Sequence, residues 1–466
     1  MSERPPVSDA LVFFGATGDL AYKQIFPALQ SMVKHGTLDV PVIGVAKAGW
    51  SLEQLKERAR DSLTAHGGID DDAWPKLEGL MRYVDGDYAE AATFQSLERE
   101  LGEAKRPLHY LAIPPSLFGT VADGLASAGA AGEGARVVVE KPFGRDLASA
   151  RELNRVIHRV FSEQAIVRID HYLGKEPVQN LLYFRFANSF IEPIWNREHV
   201  ESIEITMAES FGVKGRGRFY EEAGAIRDVL QNHLIQTLAM LTMDPPVGHD
   251  AESQRDAKAA LIRSLRPLHP DCVVRGQFTG YRDEDGVSPD STVETFAAVR
   301  LVIDSWRWAG VPVLIRAGKE LPRTATEIVV ELKRPPLDVF DDIRPSQANR
   351  FRFRLGPEVT ISLEARAKKP GGGMSGEPVT LQVMHHSPKD LPPYERLLGD
   401  AMKGDATLFA RQDAVEAAWR VVDPILDDAS PVYPYEPGTW GPPEATDLAE
   451  AVHGWNDPAP GGGSPP

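Results

Sequence analysis

The stretch Ala10-Leu-Val-Phe-Phe-Gly-Ala-Thr-Gly-Asp-Leu-Ala21 decides the fold of the first part of this chain. An apolar run leads directly into glycine, and a helical pattern follows through Gln30. Gly15 and Gly18 permit a tight turn, in which backbone N–H groups can approach a pyrophosphate at the helix N-terminus. Because glycine turns between strands and helices are common, this pattern alone indicates a dinucleotide site only weakly.

Further strand-like runs strengthen that interpretation. Apolar segments at 40–45, 108–113 and 135–140 are separated by helical patterns. Strands that alternate with helices predict a parallel sheet, and ligands bind at the carboxyl ends of its strands. The second run ends in Lys47 with no acidic residue beside it. A base there favours a 2′-phosphate and hence NADP, although a solvated lysine is an equally ordinary reading of the position.

The second part of the chain has a different pattern. Segments such as 200–207, 296–303 and 358–363 alternate apolar and polar residues with a period of two, which is typical of half-buried antiparallel strands. We therefore predict an α/β protein: a Rossmann-like parallel sheet domain over residues 1–175, and a larger α+β domain with a mostly antiparallel sheet over 176–455. The Pro- and Gly-rich residues 456–466 are expected to form a disordered tail.

Composition excludes several classes of function. The chain has 466 residues, a formal net charge of −16 and one cysteine, Cys272. The negative charge argues against binding to nucleic acid or to an anionic membrane. No segment approaches the length of a membrane span, and the sequence near Met1 lacks a signal pattern. A single cysteine rules out an internal disulfide framework, so we expect a cytoplasmic protein, and we predict no metal site.

The most chemically dense segment is Arg168-Ile-Asp-His-Tyr-Leu-Gly-Lys-Glu176. Tyr172 and Lys175 are hydrogen-bond donors, and His171 becomes a second cation when it is protonated, so the group suits a phosphate monoester. Asp170 suits a different task, the orientation of a base. Taken alone, the segment also fits an ordinary turn rich in salt bridges.

A second candidate lies on the clearest helical pattern, residues 224–241. On an α-helix His233 falls within the apolar arc, and Asp228 lies about 140° away around the axis. A satisfied core histidine is the common reading of such a placement. If His233 is instead a general base, its orienting carboxylate comes from elsewhere in the chain.

Several motifs together resemble the glucose-6-phosphate dehydrogenase family, in the order in which the family carries them and from about residue 8 to about residue 450. They include the glycine turn and the 168–176 segment already quoted. The others are Glu140-Lys-Pro-Phe-Gly-Arg-Asp146, Ile226-Arg-Asp-Val-Leu-Gln-Asn-His233, Ala317-Gly-Lys319 and Tyr394-Glu-Arg-Leu397.

The resemblance implies oxidation of glucose 6-phosphate at C1 to the lactone, with hydride transfer to NADP, and it implies a role for each matching residue. His233 would be the general base, and Asp170 would orient it. The substrate contacts would be Lys141, His171, Tyr172, Lys175, Glu209, Asp228, Lys319 and Arg323. The coenzyme contacts would be Gly15, Thr17, Gly18, Asp19, Leu20, Lys47, Tyr110 and Lys141.

This chain departs from the family pattern at two places. The coenzyme-selecting position holds Lys47 where arginine is usual, and lysine cannot fork or stack as a guanidinium does, so NAD stays open beside NADP. Thr324 stands where the family has a second basic residue, with Arg323 one position early.

Two alternatives remain beside the main interpretation. One is a dehydrogenase of another sugar phosphate, and the other is an inactive coenzyme-binding sensor. The family also implies a homodimer or homotetramer.

Overall fold

The computed structural model describes residues 7–337, 339–340, 348–371, 373–384, 392–452 and 454–460. The chain forms two compact units. The first comprises residues 1–175, 246–256 and 389–416, and the second comprises 176–245, 257–388 and 417–466. The first division follows Lys175, where the sequence predicts a domain boundary. The two later segments of the first unit carry no sequence signal that separates them from their neighbours.

The first unit contains a six-stranded parallel sheet in the order β3-β2-β1-β4-β5-β6. Its strands are β1 (Ala10–Phe14), β2 (Val42–Ala46), β3 (Met81–Asp85), β4 (Pro107–Leu111), β5 (Arg136–Glu140) and β6 (Ile166–Ile169). The helices between and beside them are α1 (Phe26–Lys34), α2 (Leu52–Ala65), α3 (Trp74–Leu80), α4 (Ala91–Leu101), α5 (Phe118–Ser127) and α6 (Leu147–Ile157). A π-helical turn, Ala21–Ile25, precedes α1.

The parallel sheet follows from its continuous apolar strands. Every residue of β1 is buried, as expected for a strand that is covered on both faces. The rings of Phe13 and Phe26 pack edge to face with centroids 5.7 Å apart, which fixes α1 against β1. The strand order reverses between β1 and β4, and in such sheets this reversal point is where ligands bind.

The second unit contains a nine-stranded sheet in the order β14-β13-β12-β11-β7-β10-β9-β8-β15. Its strands are β7 (Val200–Ala208), β8 (Val273–Phe278), β9 (Phe296–Leu301), β10 (Val313–Gly318), β11 (Ala325–Leu332), β12 (Arg350–Gly356), β13 (Thr360–Lys368), β14 (Gly376–Met384) and β15 (Val432–Tyr435). Among these described strands, only the pairs β7–β10 and β8–β15 are parallel. The predicted fold class, a parallel sheet domain with a larger, mostly antiparallel one, is confirmed.

The remaining helices are α7 (Glu176–Ala187), α8 (Gly217–Ala225), α9 (Ile235–Thr242), α10 (Ala251–Ser264), α11 (Pro393–Lys403) and α12 (Gln412–Val422). Between α8 and α9 lies a π-helical segment, Ile226–Leu234. Among the described residues, the longest apolar helices fall short of the length needed to cross a bilayer.

The start of the predicted disordered tail is held in place. The backbone and side-chain amides of Asn456 bond to the two carboxylate oxygens of Glu204, and Asp457 pairs with Arg316 at 2.6 Å. Arg354 donates to the carbonyl oxygen of Ala459. The prediction of disorder from residue 456 is therefore wrong for 456–459, because buried charged groups within the second unit bond the tail. Residues 461–466 lie outside the described part of the chain.

Candidate active site

The glycine turn after β1 lies at the carboxyl end of a central strand of the parallel sheet. Gly15 has a φ of +80°, and a Cβ atom added there would lie 2.2 Å from the carbonyl oxygen of Ala112. The close approach of β1 and β4 at this point therefore requires glycine. Gly18 donates its N–H to the Gly15 carbonyl oxygen at 2.9 Å, which closes the turn just before the helix. Such a glycine cradle fits the pyrophosphate of a dinucleotide.

The side chains of the other predicted turn residues differ in exposure. Thr17 and Leu20 are half-buried, and Asp19 is exposed and pairs with Lys23 at 3.2 Å. The hydroxyl of Tyr88 accepts the Gly15 N–H at 3.0 Å and donates to Val45 at 3.2 Å. No sequence pattern predicts this contact of Tyr88, because the tyrosine reaches the turn only through the folding of the chain after β3.

Lys47 lies beside acidic groups that are distant from it in the sequence. Its ammonium contacts Asp87 at 2.6 Å, and the pKa of Asp87 is lowered first by the backbone N–H of Ala89 and then by Lys47. Asp85, at the end of β3, accepts the backbone N–H groups of Ala48 and Gly49 at 3.0 and 2.8 Å. The end of β2 thus has one cation and two carboxylates within reach.

A carboxyl group and two phenols meet at the ends of β4 and β5. Tyr110 is fully buried and donates its hydroxyl hydrogen to Glu140. Tyr394, from α11, bonds to the same carboxyl. The pKa of Glu140 is raised to about 7, chiefly because the surrounding protein removes it from water. Lys141 follows directly, at the start of the cis Lys141–Pro142 bond.

The 170–175 turn brings the predicted phosphate ligands together. Asp170 is 1% exposed and accepts the backbone N–H of Tyr172 at 3.0 Å. The Lys175 ammonium lies 4.2 Å from the centroid of the Tyr172 ring. His171 and Lys175 are both half-buried, so they are held by the protein but still accessible. The arrangement places two basic side chains and a phenol on one short turn after β6.

His233 is 3% exposed and lies in the π-helical segment of the second unit. The premise of regular α-helical geometry is wrong for residues 226–234. In a π-helix hydrogen bonds join residue i to residue i+5, so residues five apart, such as Asp228 and His233, lie near one face instead of about 140° apart. π-Helical turns occur often at functional sites. The apolar pattern of residues 226–234 predicts an α-helix, because no residue type marks the wider winding of a π-helix.

Two predicted substrate residues lie together at the ends of β7 and β10. The Lys319 ammonium donates to a carboxylate oxygen of Glu209, and Lys319 is only 6% exposed. The ammonium also lies 5.1 Å from the ring centroid of Phe211 and 5.5 Å from that of Tyr220. The charge of Asp228 acts on buried Tyr220 as well, and it helps raise the pKa of that phenol after the larger effect of burial.

Arg323 has different surroundings from Lys319. Its guanidinium lies 5.9 Å from the ring centroid of Trp440, and it lines a cavity of about 310 Å³ with Arg354. Thr324 instead bonds to Ser210. The Thr324 hydroxyl accepts the backbone N–H of Ser210 at 3.0 Å, and the two hydroxyl oxygens lie 2.9 Å apart. At the family's second basic position this chain therefore has a hydroxyl beside the Glu209 segment.

Comparisons with known proteins agree over nearly the whole chain. Residues 12–180 match the family description "Glucose-6-phosphate dehydrogenase, NAD binding domain", and residues 182–456 match the C-terminal domain of the same family. A protein of Mycobacterium tuberculosis named glucose-6-phosphate 1-dehydrogenase 1 is 44% identical over 97% of both chains. A Bacillus subtilis protein named glucose-6-phosphate 1-dehydrogenase is 38% identical over 96% of this chain and 98% of its own.

Solved structures give the same result. A crystal structure of glucose-6-phosphate 1-dehydrogenase from Mycobacterium avium has a TM-score of 0.91 and 44% identity, with 97% of this chain and 99% of that chain covered. A glucose-6-phosphate dehydrogenase solved in complex with its substrate glucose-6-phosphate has a TM-score of 0.90 and 34% identity, covering 98% of this chain and all of the other.

Proposed function

The chain belongs to the glucose-6-phosphate dehydrogenase family, and we propose that His233 and Asp170 carry its reaction, with NADP as the hydride acceptor. The reaction is the oxidation of D-glucose 6-phosphate at C1 to 6-phospho-D-glucono-1,5-lactone, the first step of the oxidative pentose phosphate pathway. A nicotinamide coenzyme takes the hydride from C1. The observation that carries the residue assignment is the 170–175 turn, where a buried carboxylate stands beside side chains that suit a phosphate.

His233 is the general base. It takes the proton of the C1 hydroxyl while the hydride leaves, which avoids a high-energy protonated product. Asp170 orients the imidazole and stabilises its protonated form. Burial of both side chains supports these roles, because a charge–charge interaction is stronger away from water.

The substrate is held at both ends. His171, Tyr172 and Lys175 bind the 6-phosphate, since two basic groups and a phenol hydroxyl match a dianion. Glu209 and Asp228 accept hydrogen bonds from sugar hydroxyls, and Lys319 fixes Glu209 through their ion pair. Lys141 serves both substrate and coenzyme. Arg323 keeps its place among the candidate phosphate ligands, although its surroundings at Trp440 offer it a structural role as well.

The glycine turn would hold the coenzyme. Its pyrophosphate would be bound by Gly15, Thr17, Gly18, Asp19 and Leu20, and Tyr110 would line the nicotinamide side. Lys47 would contact the adenosine 2′-phosphate of NADP. Because Asp85 and Asp87 stand near Lys47, a free 2′-hydroxyl also finds acceptors there, and use of NAD beside NADP follows from the same geometry.

Steady-state kinetics with both coenzymes tests this proposal. Purified protein is mixed with glucose 6-phosphate and NADP or NAD, and the absorbance of the reduced coenzyme is followed. We expect turnover with NADP and weaker turnover with NAD. Mannose 6-phosphate and glucose serve as matched controls for the sugar and the phosphate. Faster turnover of either control than of glucose 6-phosphate would contradict the assigned substrate.

A further inference from the structure

Glu140 ends β5, and its carboxyl group stands among groups from three other parts of the first unit. Tyr110 on β4 and Tyr394 on α11 both bond to it through their hydroxyls. Lys141 and Asp170 act on it through their charges. One carboxyl is therefore surrounded by two hydrogen-bond donors, one cation and one further carboxylate.

The position of this group points towards the coenzyme. β4 and β5 follow the reversal of strand order at β1, and their carboxyl ends are where a dinucleotide extends across such a sheet. Tyr110 and Lys141, the neighbours of Glu140, are the residues assigned above to the nicotinamide side. The oxidised nicotinamide ring carries a positive charge, whereas the reduced ring is neutral.

We propose that Glu140 is a proton-linked positioning residue: when the oxidised coenzyme binds, Glu140 releases its proton to solvent, and its carboxylate balances the positive nicotinamide ring. The inference rests on the proposed function, because it takes a nicotinamide coenzyme as the ligand. No bond of the coenzyme changes in this step. Reduced coenzyme, with its neutral ring, leaves the proton on Glu140.

The balance of forces on the carboxyl group supports this role. Removal from water raises the pKa of Glu140 most, and the charge of Asp170 adds to that effect. The hydroxyls of Tyr110 and Tyr394 and the charge of Lys141 oppose it, which leaves the pKa at about 7. Near neutral pH the carboxyl is thus divided between its two forms, and a nearby cation shifts it to the ionised one.

Tyr394 is fixed in place by its own helix. The neighbouring Glu395 accepts hydrogen bonds from Ser31 at 2.5 Å and His35 at 2.6 Å, which ties α11 to α1. Leu397 packs directly against Gly174 in the 170–175 turn. The motif Tyr394-Glu-Arg-Leu397 therefore connects the carboxyl end of β5 with the 170–175 turn. The sequence alone does not predict this connection.

Calorimetric titration at pH 7 in two buffers of different ionisation enthalpy measures the protons released on binding. With wild-type enzyme we expect about half a proton to be released per NADP⁺, because a group with a pKa of about 7 is half protonated there. NADPH carries the same phosphates, so its titration subtracts their contribution, and we expect a smaller release. Glu140→Gln abolishes the difference between the two nucleotides.

Asp400→Asn is the matched control. The pKa of Asp400 on α11 is raised to about 6, mainly by burial, so this carboxyl also titrates near neutral pH, but the charges that act on it are those of Asp405, Lys403 and Arg396 and not those around Glu140. The difference between the nucleotides should persist in this variant. Tyr394→Phe removes a donor that favours the ionised carboxyl, so the proton release at pH 7 should increase.

The outcomes separate the two levels of the proposal. Failure of the wild type to bind either nucleotide would overturn the coenzyme assignment itself. Binding with equal proton release for NADP⁺ and NADPH would overturn only the role of Glu140, as would a release that survives in Glu140→Gln. If Glu140→Gln does not fold, an unchanged release in Tyr394→Phe decides against the role.

Discussion

At the scale of single residues, burial shifts the pKa of basic groups and of acidic groups in opposite directions. His109 on β4 is fully buried, bonds to the Ala130 carbonyl oxygen at 2.8 Å, and has its pKa lowered to about 4 by loss of water. Glu140, at the end of the next strand, has its pKa raised to about 7 for the same reason. A cation and an anion are each disfavoured away from water, so the histidine is kept neutral and the carboxyl is kept partly protonated.

His109 makes the protein less stable in mild acid. The unfolded chain protonates this histidine below a pH of about 6.5, whereas the folded chain does so only near pH 4, so the stability contribution is lost as pH falls through that window. We predict that His109→Gln reduces the fall in unfolding free energy between pH 7 and pH 4.5 by about 2 kcal/mol. Urea unfolding at the two pH values measures it. An equal fall in both proteins would show that His109 is not the source.

Lys47 is a residue-scale determinant of coenzyme choice. Loss of its charge should remove one contact to the 2′-phosphate, so we predict that Lys47→Ala lowers kcat/KM for NADP about tenfold and for NAD much less. Lys34→Ala is the matched control, because Lys34 is an exposed lysine that pairs with Asp70 at 2.9 Å much as Lys47 pairs with Asp87. Equal losses for NADP and NAD in Lys47→Ala would remove this residue from the 2′-phosphate site.

At the scale of elements, the sequence predicts strands well and the winding of helices poorly. β1 and β2 are continuous apolar runs because both faces of a parallel sheet are covered, and that physical cause acts on every residue of the strand. The π-helical turn at 226–234 depends on which hydrogen bonds form, and no residue type marks it. Asp87 reaches Lys47, and Asp85 reaches the backbone of Ala48 and Gly49, only through the pairing of β2 with β3, so a local reading of the sequence misses both contacts.

The glycine turn after β1 gives an element-scale prediction. Gly15→Ala places a Cβ atom against the Ala112 carbonyl oxygen as well as forcing a positive φ, so we predict a loss of about 2 kcal/mol or more and weaker coenzyme binding. Gly36→Ala has a similar φ of +70° with nothing within 4 Å of the added atom, and it controls for the backbone strain alone. Thermal unfolding and nucleotide titration measure both effects. Equal changes in the two variants would contradict a steric requirement at Gly15.

At the scale of the whole molecule, a strongly acidic chain contains a small basic cluster, which is the proposed phosphate site. The net charge is −16, while His171 and Lys175 stand on one turn of the first unit. Composition argues against nucleic-acid binding, whereas only the 168–176 motif predicts where a phosphate binds. The sequence assigned both candidate catalytic groups through family resemblance; spacing alone left His233 as a core residue.

The oligomeric state is also a property of the whole molecule. We propose a homodimer or homotetramer, and sedimentation equilibrium should give a mass two or four times the 51.1 kDa of the chain. A mass of 51.1 kDa across micromolar concentrations would contradict the proposal.

The most direct measurement is kcat for wild type and His233→Asn with glucose 6-phosphate and NADP, beside the affinity of each protein for the sugar phosphate. Asparagine keeps a polar side chain but cannot take the C1 proton, so we predict unchanged affinity and a kcat lower by about 10³-fold. His199→Asn, which changes an exposed histidine of the same unit, should keep wild-type kcat. Wild-type-like turnover in His233→Asn would contradict the role of His233 as the general base.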